Sequence, residues 1–453
     1  MTSDAPGHAP GGAEGRARHD DALATFAAFV NPQKVRVLRT AGLDIVEGER
    51  SGAWVTDVDG RRYLDCFTSA GSFNVGRRHP RVVAAAREAL DHLDHGNFLL
   101  ASEQKAMLAA RLAELAPGGL DHTTFGSGGG EAIDWALKLA RGATRRPRIV
   151  STVNGYHGHT GFALSAGGRA AFRESFEPLM PEFVQVPFGD AGALADAVDE
   201  RTAAVLLEPI QGEGGIVVPP EGYLSEARRL CDDAGALLVL DEIQTGFGRT
   251  GRWFASEHEG VVPDIMTVAK SLGGSLAAIS ATICTADVAE FLVPHPFVHL
   301  STFGGSDLAC AVALATLAVI DDEGLVENAA RMGERLGSGL RTIADEESEV
   351  VVETRGRGLM IGVKYREDSF GPRMSYALSQ HGVLAFYTGN EPSVMRLMPS
   401  LVVAEGDVDH LLDAFAQAVR DVRTGVGPAD GAPVRPRRRP ARTPAPSSVP
   451  TDA

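Results

Sequence analysis

Reactive or polar side chains follow several short apolar runs of the sequence. Glu208 follows AAVLL, Asp241 follows ALLVL, and Lys270 follows DIMTVA. Tyr156 and His157 stand shortly after RIVSTV. The carboxyl ends of the strands in an open α/β sheet are where ligands bind. An acid after one strand is commonly only a helix N-cap, but together these positions predict one site.

A glycine run precedes a helical pattern at residues 125–141, which read FGSGGGEAIDWALKLAR. Backbone N–H groups at a helix start bind anions, and glycine lets a ligand approach them closely. Taken alone, the run fits a flexible loop equally well. It is not a P-loop, which ends in Gly-Lys-Ser/Thr, because Glu131-Ala132 stands there. It is not a dinucleotide fingerprint starting at Gly126, which would require glycine at position 131.

A lysine, a strand-end aspartate, an aromatic residue and an anion site are the parts that a pyridoxal-phosphate (PLP) enzyme needs. The amine of Lys270 would condense with the cofactor aldehyde. The carboxylate of Asp241 would keep the ring nitrogen protonated, and Tyr156 would cover the ring face. A lysine in this role needs a pKa below its ordinary value of about 10.4.

The elements that position these residues follow an α/β pattern. From about residue 100, short apolar runs alternate with helical segments, as in a largely parallel sheet. AWVTDVDGRRYL predicts a hairpin closed by Asp59-Gly60. Apolar residues from Val408 to Val422 recur with the 3.6-residue period of an amphipathic helix that closes a C-terminal domain.

Both ends of the chain read as disordered, because they are rich in Gly, Ala, Pro or Arg and poor in large apolar residues. The predicted organisation is a disordered tail (1–25), an N-terminal part of a small domain (26–75), a large cofactor-binding domain (76–325), a C-terminal part of the small domain (326–424) and a Pro/Arg-rich tail (425–453). The last segment carries five Arg against two Asp. It fits either a solvated tail or an arm for an anionic partner.

Composition sets limits on partners and compartment. The formal net charge of −16 argues against nucleic-acid or anionic-membrane binding by the body of the chain. The four cysteines are far apart, without metal-ligand or disulfide-framework spacing, so we expect no metal site and a reducing, cytoplasmic location. No run of 18 apolar residues predicts a membrane span.

Eight motifs, in this order, resemble the class III PLP-dependent aminotransferases of fold type I, from about Gly52 to Val422. They are YLDCFTSAGSFNVGRRHPRVVAAA, FGSGGGEAIDWALKLAR, NGYHGHT, LLEPIQGEGG, LVLDEIQTGFGRTG, VAKSLGGS, STFGG and MRLMPSL. The resemblance implies an α/β fold with a large, mostly parallel sheet flanked by helices. It also implies a smaller domain built from the N- and C-terminal segments.

The resemblance assigns roles in cofactor binding. Lys270 matches the lysine that forms the Schiff base with PLP, and Asp241 matches the partner of the pyridine nitrogen. Gln244 matches the residue near the phenolic oxygen, and Tyr156 the ring-stacking aromatic. His157 and Glu208 are assigned to the same cofactor site.

The phosphate site departs from the family pattern. Gly129 and Gly130 match the phosphate-binding turn, but Gly128 and Gly130 stand where hydroxyl side chains are usual. The expected phosphate ligands are therefore the backbone, Ser127 and Thr302. Thr302 resembles a residue supplied by the neighbouring subunit, which implies a homodimer with composite sites.

The resemblance also implies an amino donor and an oxo acid acceptor that react in turn at one site. Arg396 resembles the arginine that binds a substrate α-carboxylate, and Glu213 the glutamate that masks this arginine. His159 stands where many members have arginine, so a second carboxylate anchor is not expected there. The sequence does not name the donor. Epimerisation, aminomutation and decarboxylation by a related enzyme remain alternatives, as does a catalytically idle cofactor-binding protein.

Overall fold

A computed structural model describes residues 12–427 of the chain. Its helices are α1 (Ala13–Phe29), α2 (Pro32–Thr40), α3 (Thr68–Gly71), α4 (Pro80–His92), α5 (Glu103–Leu115), α6 (Gly129–Thr144), α7 (Gly161–Ala166), α8 (Ala170–Arg173), α9 (Ala191–Ala197), α10 (Tyr223–Ala234), α11 (Ala286–Ala289), α12 (Asp307–Asp322), α13 (Leu325–Glu346), α14 (Phe370–Gln380) and α15 (Glu405–Arg423). Its strands are β1 (Glu47–Ser51), β2 (Trp54–Asp57), β3 (Arg62–Asp65), β4 (Leu120–Gly126), β5 (Arg148–Thr152), β6 (Phe183–Val186), β7 (Thr202–Leu207), β8 (Leu237–Asp241), β9 (Ile265–Val268), β10 (Ser280–Thr285), β11 (Val351–Arg357), β12 (Met360–Tyr365), β13 (Val383–Leu384), β14 (Phe386–Tyr387) and β15 (Val394–Leu397).

A seven-stranded sheet forms the centre of the molecule, in the order β4-β10-β9-β8-β7-β5-β6. All its pairs are parallel except those that β10 makes with β4 and β9. Strands β7, β8 and β9 are buried along nearly their whole length, which suits a sheet covered on both faces. The predicted α/β class with a mostly parallel sheet is confirmed.

The sheet brings the predicted strand-end residues to one edge. Glu208 directly follows β7, Asp241 is the last residue of β8, and Lys270 stands two residues after β9. These three strands are parallel neighbours. Their carboxyl ends therefore meet at the same place, as the sequence predicted.

Two smaller sheets accompany the central one, and one of them joins segments from the two ends of the chain. The order β1-β2-β3-β13 places a C-terminal strand beside the N-terminal hairpin, and β11-β12-β15-β14 forms the other sheet. The hairpin pairs Trp54 with Leu64, so its prediction is confirmed. The exact domain boundaries stay predictions. Strand β15 is fully buried and carries Arg396.

The predicted disordered N-terminal tail is wrong in part. Helix α1 begins at Ala13, inside the segment 1–25. Alanine is the strongest helix former, and Leu23 and Ala27 bury their side chains against Val35 of α2. Residues 1–11 and most of the predicted tail 425–453, from 428 onward, lie outside the described residues.

Helix α15 packs the apolar face that the sequence predicted. Val408, Leu411, Phe415, Val419 and Val422 are all buried in the largest hydrophobic cluster. Between residues 12 and 427, no helix has both the length and the apolar character needed to cross a membrane.

Phe415→Ala should lower the free energy of unfolding by about 3–5 kcal/mol, because it removes a fully buried ring and leaves a cavity. Chemical denaturation followed by circular dichroism measures the change. Gln417→Ala, at an exposed position of the same helix, is the control and should stay within about 0.5 kcal/mol of wild type. Equal effects of the two substitutions would contradict the packing of α15.

Candidate active site

A cavity of about 510 Å³ opens at the carboxyl ends of β7, β8 and β9; we refer to it as the main cavity. Most of the predicted site residues line it. They are Ser127, Gly128, Gly129, Gly130, Tyr156, His157, Glu208, Glu213, Asp241, Gln244 and Lys270. Thr302 and Arg396 do not line it.

Lys270 begins a 3₁₀ turn, Lys270–Gly273, directly after the β9 segment. Its φ of 44° is in the left-handed region, which is uncommon for a residue other than glycine. Burial lowers the pKa of its ammonium below the ordinary value, although the charges of Asp241, Glu213 and Glu208 act in the opposite direction. A lysine with a lowered pKa more readily supplies the neutral amine that acts as a nucleophile or base.

Asp241 is held by contacts to both of its carboxylate oxygens. Oδ2 lies 2.8 Å from Nδ1 of His157, and Oδ1 accepts the N–H of Ile243 at 3.1 Å. Burial alone would lower the pKa of His157, but the hydrogen bond and charge of Asp241, with the charge of Glu208, raise it. The contact with His157 therefore orients the buried carboxylate of Asp241. The Nε2 atom of His157 is buried without a hydrogen-bond partner.

Glu208 connects two loops of the site. Its Oε1 accepts the N–H of Tyr156 and its Oε2 the N–H of Gly212, both at 2.9 Å. Burial raises the pKa of Glu208 to about 7, with a further contribution from Asp241, while His157 and the two amides act against the shift. The carboxylate thus holds the loop of Tyr156 and the loop that precedes Glu213 in fixed positions.

Gln244 faces a strained turn of the N-terminal segment. Its Nε2 donates to the carbonyl of Ala70 at 3.0 Å, and its Oε1 is buried without a partner. The turn comprises Thr68, Ser69, Ala70 and Gly71, with φ of 47°, 49°, 60° and 87°. Left-handed conformations are costly for residues that carry a Cβ, and such strain clusters at functional sites.

The glycine run forms the start of α6, as predicted. The first amides of a helix have no acceptor within it, so those of Gly129 and Gly130 are available to an anion. A Cβ on Gly129 would lie 3.1 Å from Cδ1 of Ile243, and one on Gly130 would lie 2.9 Å from Oγ1 of Thr160. Gly128 faces open space. The cradle is therefore built from backbone groups.

Ser127 is bound by a residue whose role the sequence analysis missed. Its N–H and its hydroxyl both donate to Oε2 of Glu131, each at 2.7 Å. Burial raises the pKa of Glu131, but hydrogen bonds from Ser301 and Ser127 outweigh it and lower the pKa. Glutamate at the third position of a helix is a known capping signal, so the sequence did contain a clue.

Glu213 and Arg396 form a short ion pair at the edge of the main cavity, between Oε1 and Nη1. The other oxygen of Glu213 accepts the N–H of Gly389 at 2.9 Å. The guanidinium of Arg396 lies 5.1 Å from the ring centroid of Phe67. Arg396 is almost fully buried, and its Nε has no partner. Burial raises the pKa of Glu213, but the charge of Arg396 and the hydrogen bond of Gly389 outweigh it and lower the pKa.

Thr302 and His159 lie outside this group. Thr302 is exposed, in the segment between α11 and α12. His159 is also exposed, and its ring lies edge-on to that of Tyr156 at 5.4 Å between centroids. Across the part of the chain that the structure describes, no three His, Cys, Asp or Glu side chains are grouped as metal ligands.

The residues present fit PLP. Two buried polar atoms without partners, Gln244 Oε1 and His157 Nε2, belong to the main cavity, which also contains a backbone anion cradle and a lysine with a lowered pKa. The strand-end carboxylate of Asp241 matches the need of a pyridine nitrogen for an acidic partner.

Comparison with known proteins agrees with this geometry. The family model of class III aminotransferases matches residues 39–419. An uncharacterised aminotransferase of Archaeoglobus fulgidus is 46% identical over 408 residues, which cover 90% of this chain and 96% of that protein.

Solved structures give the same result. The ornithine aminotransferase of Toxoplasma gondii superposes with a TM-score of 0.83 at 33% identity, over 90% of this chain and 96% of that one. An (S)-enantioselective ω-transaminase of Thermomicrobium roseum gives 0.81 at 33% identity, over 89% and 98%. A further structure of the T. gondii enzyme has PLP at partial occupancy in its active site. The chain therefore belongs to the class III aminotransferases, enzymes that use PLP.

Proposed function

We propose that this aminotransferase moves the amino group of an amine donor to an oxo acid in two alternating half-reactions at the main cavity. The observation that carries the proposal is the Glu213–Arg396 ion pair at the cavity edge. Glu213 can either pair with Arg396 or release it. A single site can therefore accept an oxo acid, which has a carboxylate for the arginine, and an amine donor, which has none. A donor-screening assay with purified enzyme would identify the amine.

The proposed roles follow from the contacts of each residue. Bound PLP supplies an electron-accepting ring and an aldehyde carbon for the amino group. Asp241, supported by His157, keeps the ring nitrogen protonated, and Tyr156 covers one face of the ring. The amides of Gly129 and Gly130 bind the phosphate.

Lys270 carries the cofactor at rest and afterwards moves a proton. Its amine would take the proton from the donor carbon as general base and give it back as general acid. Burial supports this role, because it lowers the pKa of the amine. Gln244, which lines the same cavity, has an unpartnered Oε1 that could accept a hydrogen bond from the cofactor.

Lys270→Ala should abolish turnover and the borohydride-stable attachment of the cofactor to the chain, because none of the other residues that line the main cavity in the described part of the chain carries an amine. Peptide mass spectrometry after reduction should find the cofactor on residue 270 of the wild type. Lys138→Ala, at an exposed lysine of α6, is the control and should keep both properties. Turnover of the Lys270 variant at the wild-type rate would contradict the assignment.

The Glu213–Arg396 pair supports a two-position switch. When a donor without an α-carboxylate is bound, Glu213 neutralises the buried arginine, as in the present structure. When an oxo acid binds, its carboxylate replaces Glu213 as the partner of Arg396. A charge-assisted pair contributes about 1.5–3 kcal/mol, so the exchange requires that the incoming carboxylate make bonds of similar strength.

Arg396→Ala should raise the Michaelis constant for the oxo acid at least tenfold and leave the half-reaction with an amine donor nearly unchanged. Glu213→Gln should have the opposite preference and favour α-amino acids as donors, because it leaves the arginine unmasked. Single-turnover kinetics of the separate half-reactions measure both effects, with Arg335→Ala as a surface control. If Arg396→Ala slowed both halves equally, the donor would be an ordinary α-amino acid or the arginine would be structural.

A homodimer is the second part of the proposal. An exposed apolar surface surrounds Thr302 and consists of Phe98, Leu99, Leu100, Leu300 and Phe303. The segment of residues 98–100 and the segment of residues 300–303 are adjacent, because the ring of Phe303 lies edge-on to that of His95, which shortly precedes Phe98, at 5.4 Å between centroids. Exposed apolar patches of this kind mark protein interfaces. Because Thr302 does not line the main cavity of its own chain, it would complete the site of the partner.

Mixed dimers of Lys270→Ala and Thr302→Ala chains test the shared site. If Thr302 acts across the interface, one site carries both changes and the other neither, so activity per dimer should be about half of wild type. If Thr302 acts within its own chain, the mixed dimer should show half the activity of Thr302→Ala alone. Dual-tag purification isolates the mixed species, and sedimentation checks its size. A fully active monomer would contradict the homodimer.

A further inference from the structure

A second cavity of about 500 Å³ adjoins the site; we refer to it as the distal cavity. Its walls come from α2, from the segment after α2 and from the link between β13 and β14. The apolar residues on these walls are Val37, Leu38, Leu43, Ile45, Leu384 and Phe386. A volume of this size is within the range of small-molecule pockets, about 300–1,000 Å³.

The distal cavity lies next to the main cavity. Ser69 and Phe73 line both of them. Phe67 lines the distal cavity and also packs under the guanidinium of Arg396, 5.1 Å from ring centroid to Cζ. Phe67 further contacts Phe386 edge-on at 6.0 Å. The two cavities are therefore separated by Ser69 and Phe73.

The boundary between the cavities is a fixed structure. It is formed by the turn Thr68–Gly71, in which the hydroxyl of Thr68 donates to the carbonyl of Met398 at 2.7 Å. Gln244 binds the carbonyl of Ala70. A Cβ on Gly71 would lie 2.6 Å from Cε of Met398, so the turn packs closely there. This conformation places the small side chain of Ser69 between the cavities, where Phe73 also lies.

Three of the four charged residues in the wall of the distal cavity are paired with one another, and the fourth, Lys34, is an exposed residue of α2. Arg77 donates from Nε to Asp65 at 3.1 Å and forms a short ion pair with Glu47. The other oxygen of Asp65 accepts the amides of Phe67 and Thr68, at 3.1 and 2.6 Å. Since these partners satisfy one another, the surface left for a ligand is mainly hydrocarbon.

We propose that the distal cavity binds the apolar body of the amino donor, and that the donor is a primary amine with an extended aliphatic or arylalkyl group. The proposal rests on the function proposed above. The amine would lie at Lys270, and the chain would pass Ser69 between Phe67 and Phe73. The donor would carry no carboxylate near its amine, because Glu213 occupies Arg396 in this arrangement.

Unbranched primary amines from propylamine to octylamine, reacted with the full-length holoenzyme, test the proposal. The second-order rate constant of the first half-reaction should rise about fourfold per methylene, which corresponds to about 0.8 kcal/mol per buried CH₂. Val37→Trp fills the distal cavity from the wall opposite the main cavity. This substitution should lower the ratio of the rate constant for octylamine to that for propylamine at least thirtyfold.

Gln33→Trp is the matched control, because it adds the same side chain to an exposed position of α2 outside the cavity. It should keep the wild-type ratio. 1-Octanol cannot react, so calorimetry with it measures binding to the distal cavity separately from turnover. The dissociation constant of octanol should be at least tenfold higher for Val37→Trp than for the control.

Three results would overturn the proposal. The first is a wild-type rate that does not depend on chain length, or an unchanged ratio in Val37→Trp. The second is loss of the dimer in sedimentation of Val37→Trp, which would mean that a protein segment fills the cavity. The third is that octanol binds as expected but no amine reacts. The proposed function would then be wrong, and the distal cavity would be an apolar cavity that does not bind a donor.

Discussion

Three carboxylates and one lysine share a buried site, and the site holds together because each carboxylate has its own partner. Asp241 pairs with His157, Glu208 accepts two backbone amides, and Glu213 pairs with Arg396. Unpaired charges would be costly in such a place. Burial is the largest effect on Lys270, and its pKa falls although the charges of Asp241, Glu213 and Glu208 act in the opposite direction. A lowered pKa suits the nucleophile or base proposed for this lysine.

Glu208 makes the two ends of the site depend on each other. Tyr156 belongs to the cofactor side, and Gly212 precedes the glutamate that masks Arg396. One carboxylate binds the amides of both residues, so a displacement of either loop removes a hydrogen bond from a buried acid. Leaving a buried acceptor without its donor costs about 1–3 kcal/mol. The loops of Glu213 and Tyr156 are therefore fixed by the same group.

The sequence predicted what depends on local pattern. Strand-end positions gave Glu208, Asp241 and Lys270, because parallel strands must end at one edge. Periodicity gave α15, and the glycine run gave the start of α6. Contacts between distant residues carried no such signal. The ion pair of Glu213 and Arg396 joins positions 183 residues apart, and only the family resemblance suggested it.

Other misses have physical causes. The Ala-rich start of α1 was read as disorder because its composition resembles a linker, yet helix propensity and packing on Val35 order it. The contact of Ser127 with Glu131, whose carboxylate accepts both the N–H and the hydroxyl of the serine, was not predicted because it depends on side-chain placement. The positive φ angles at Thr68, Ser69 and Ala70 could not be predicted, since these residue types favour other conformations.

This left-handed turn explains how a strained segment is maintained at the centre of the molecule. The backbone carbonyl of Ala70 accepts a hydrogen bond from Gln244, and the side-chain hydroxyl of Thr68 donates to the carbonyl of Met398, which directly follows the strand of Arg396. Asp65 adds the amide of Thr68 from the wall of the distal cavity. The turn is thus fixed by the three regions that a donor would contact. A change in the conformation of the turn would move Ser69, which lies between the two cavities, and would break the hydrogen bond of Gln244 to Ala70. The path proposed for the donor and the position of Gln244 therefore depend on the same turn.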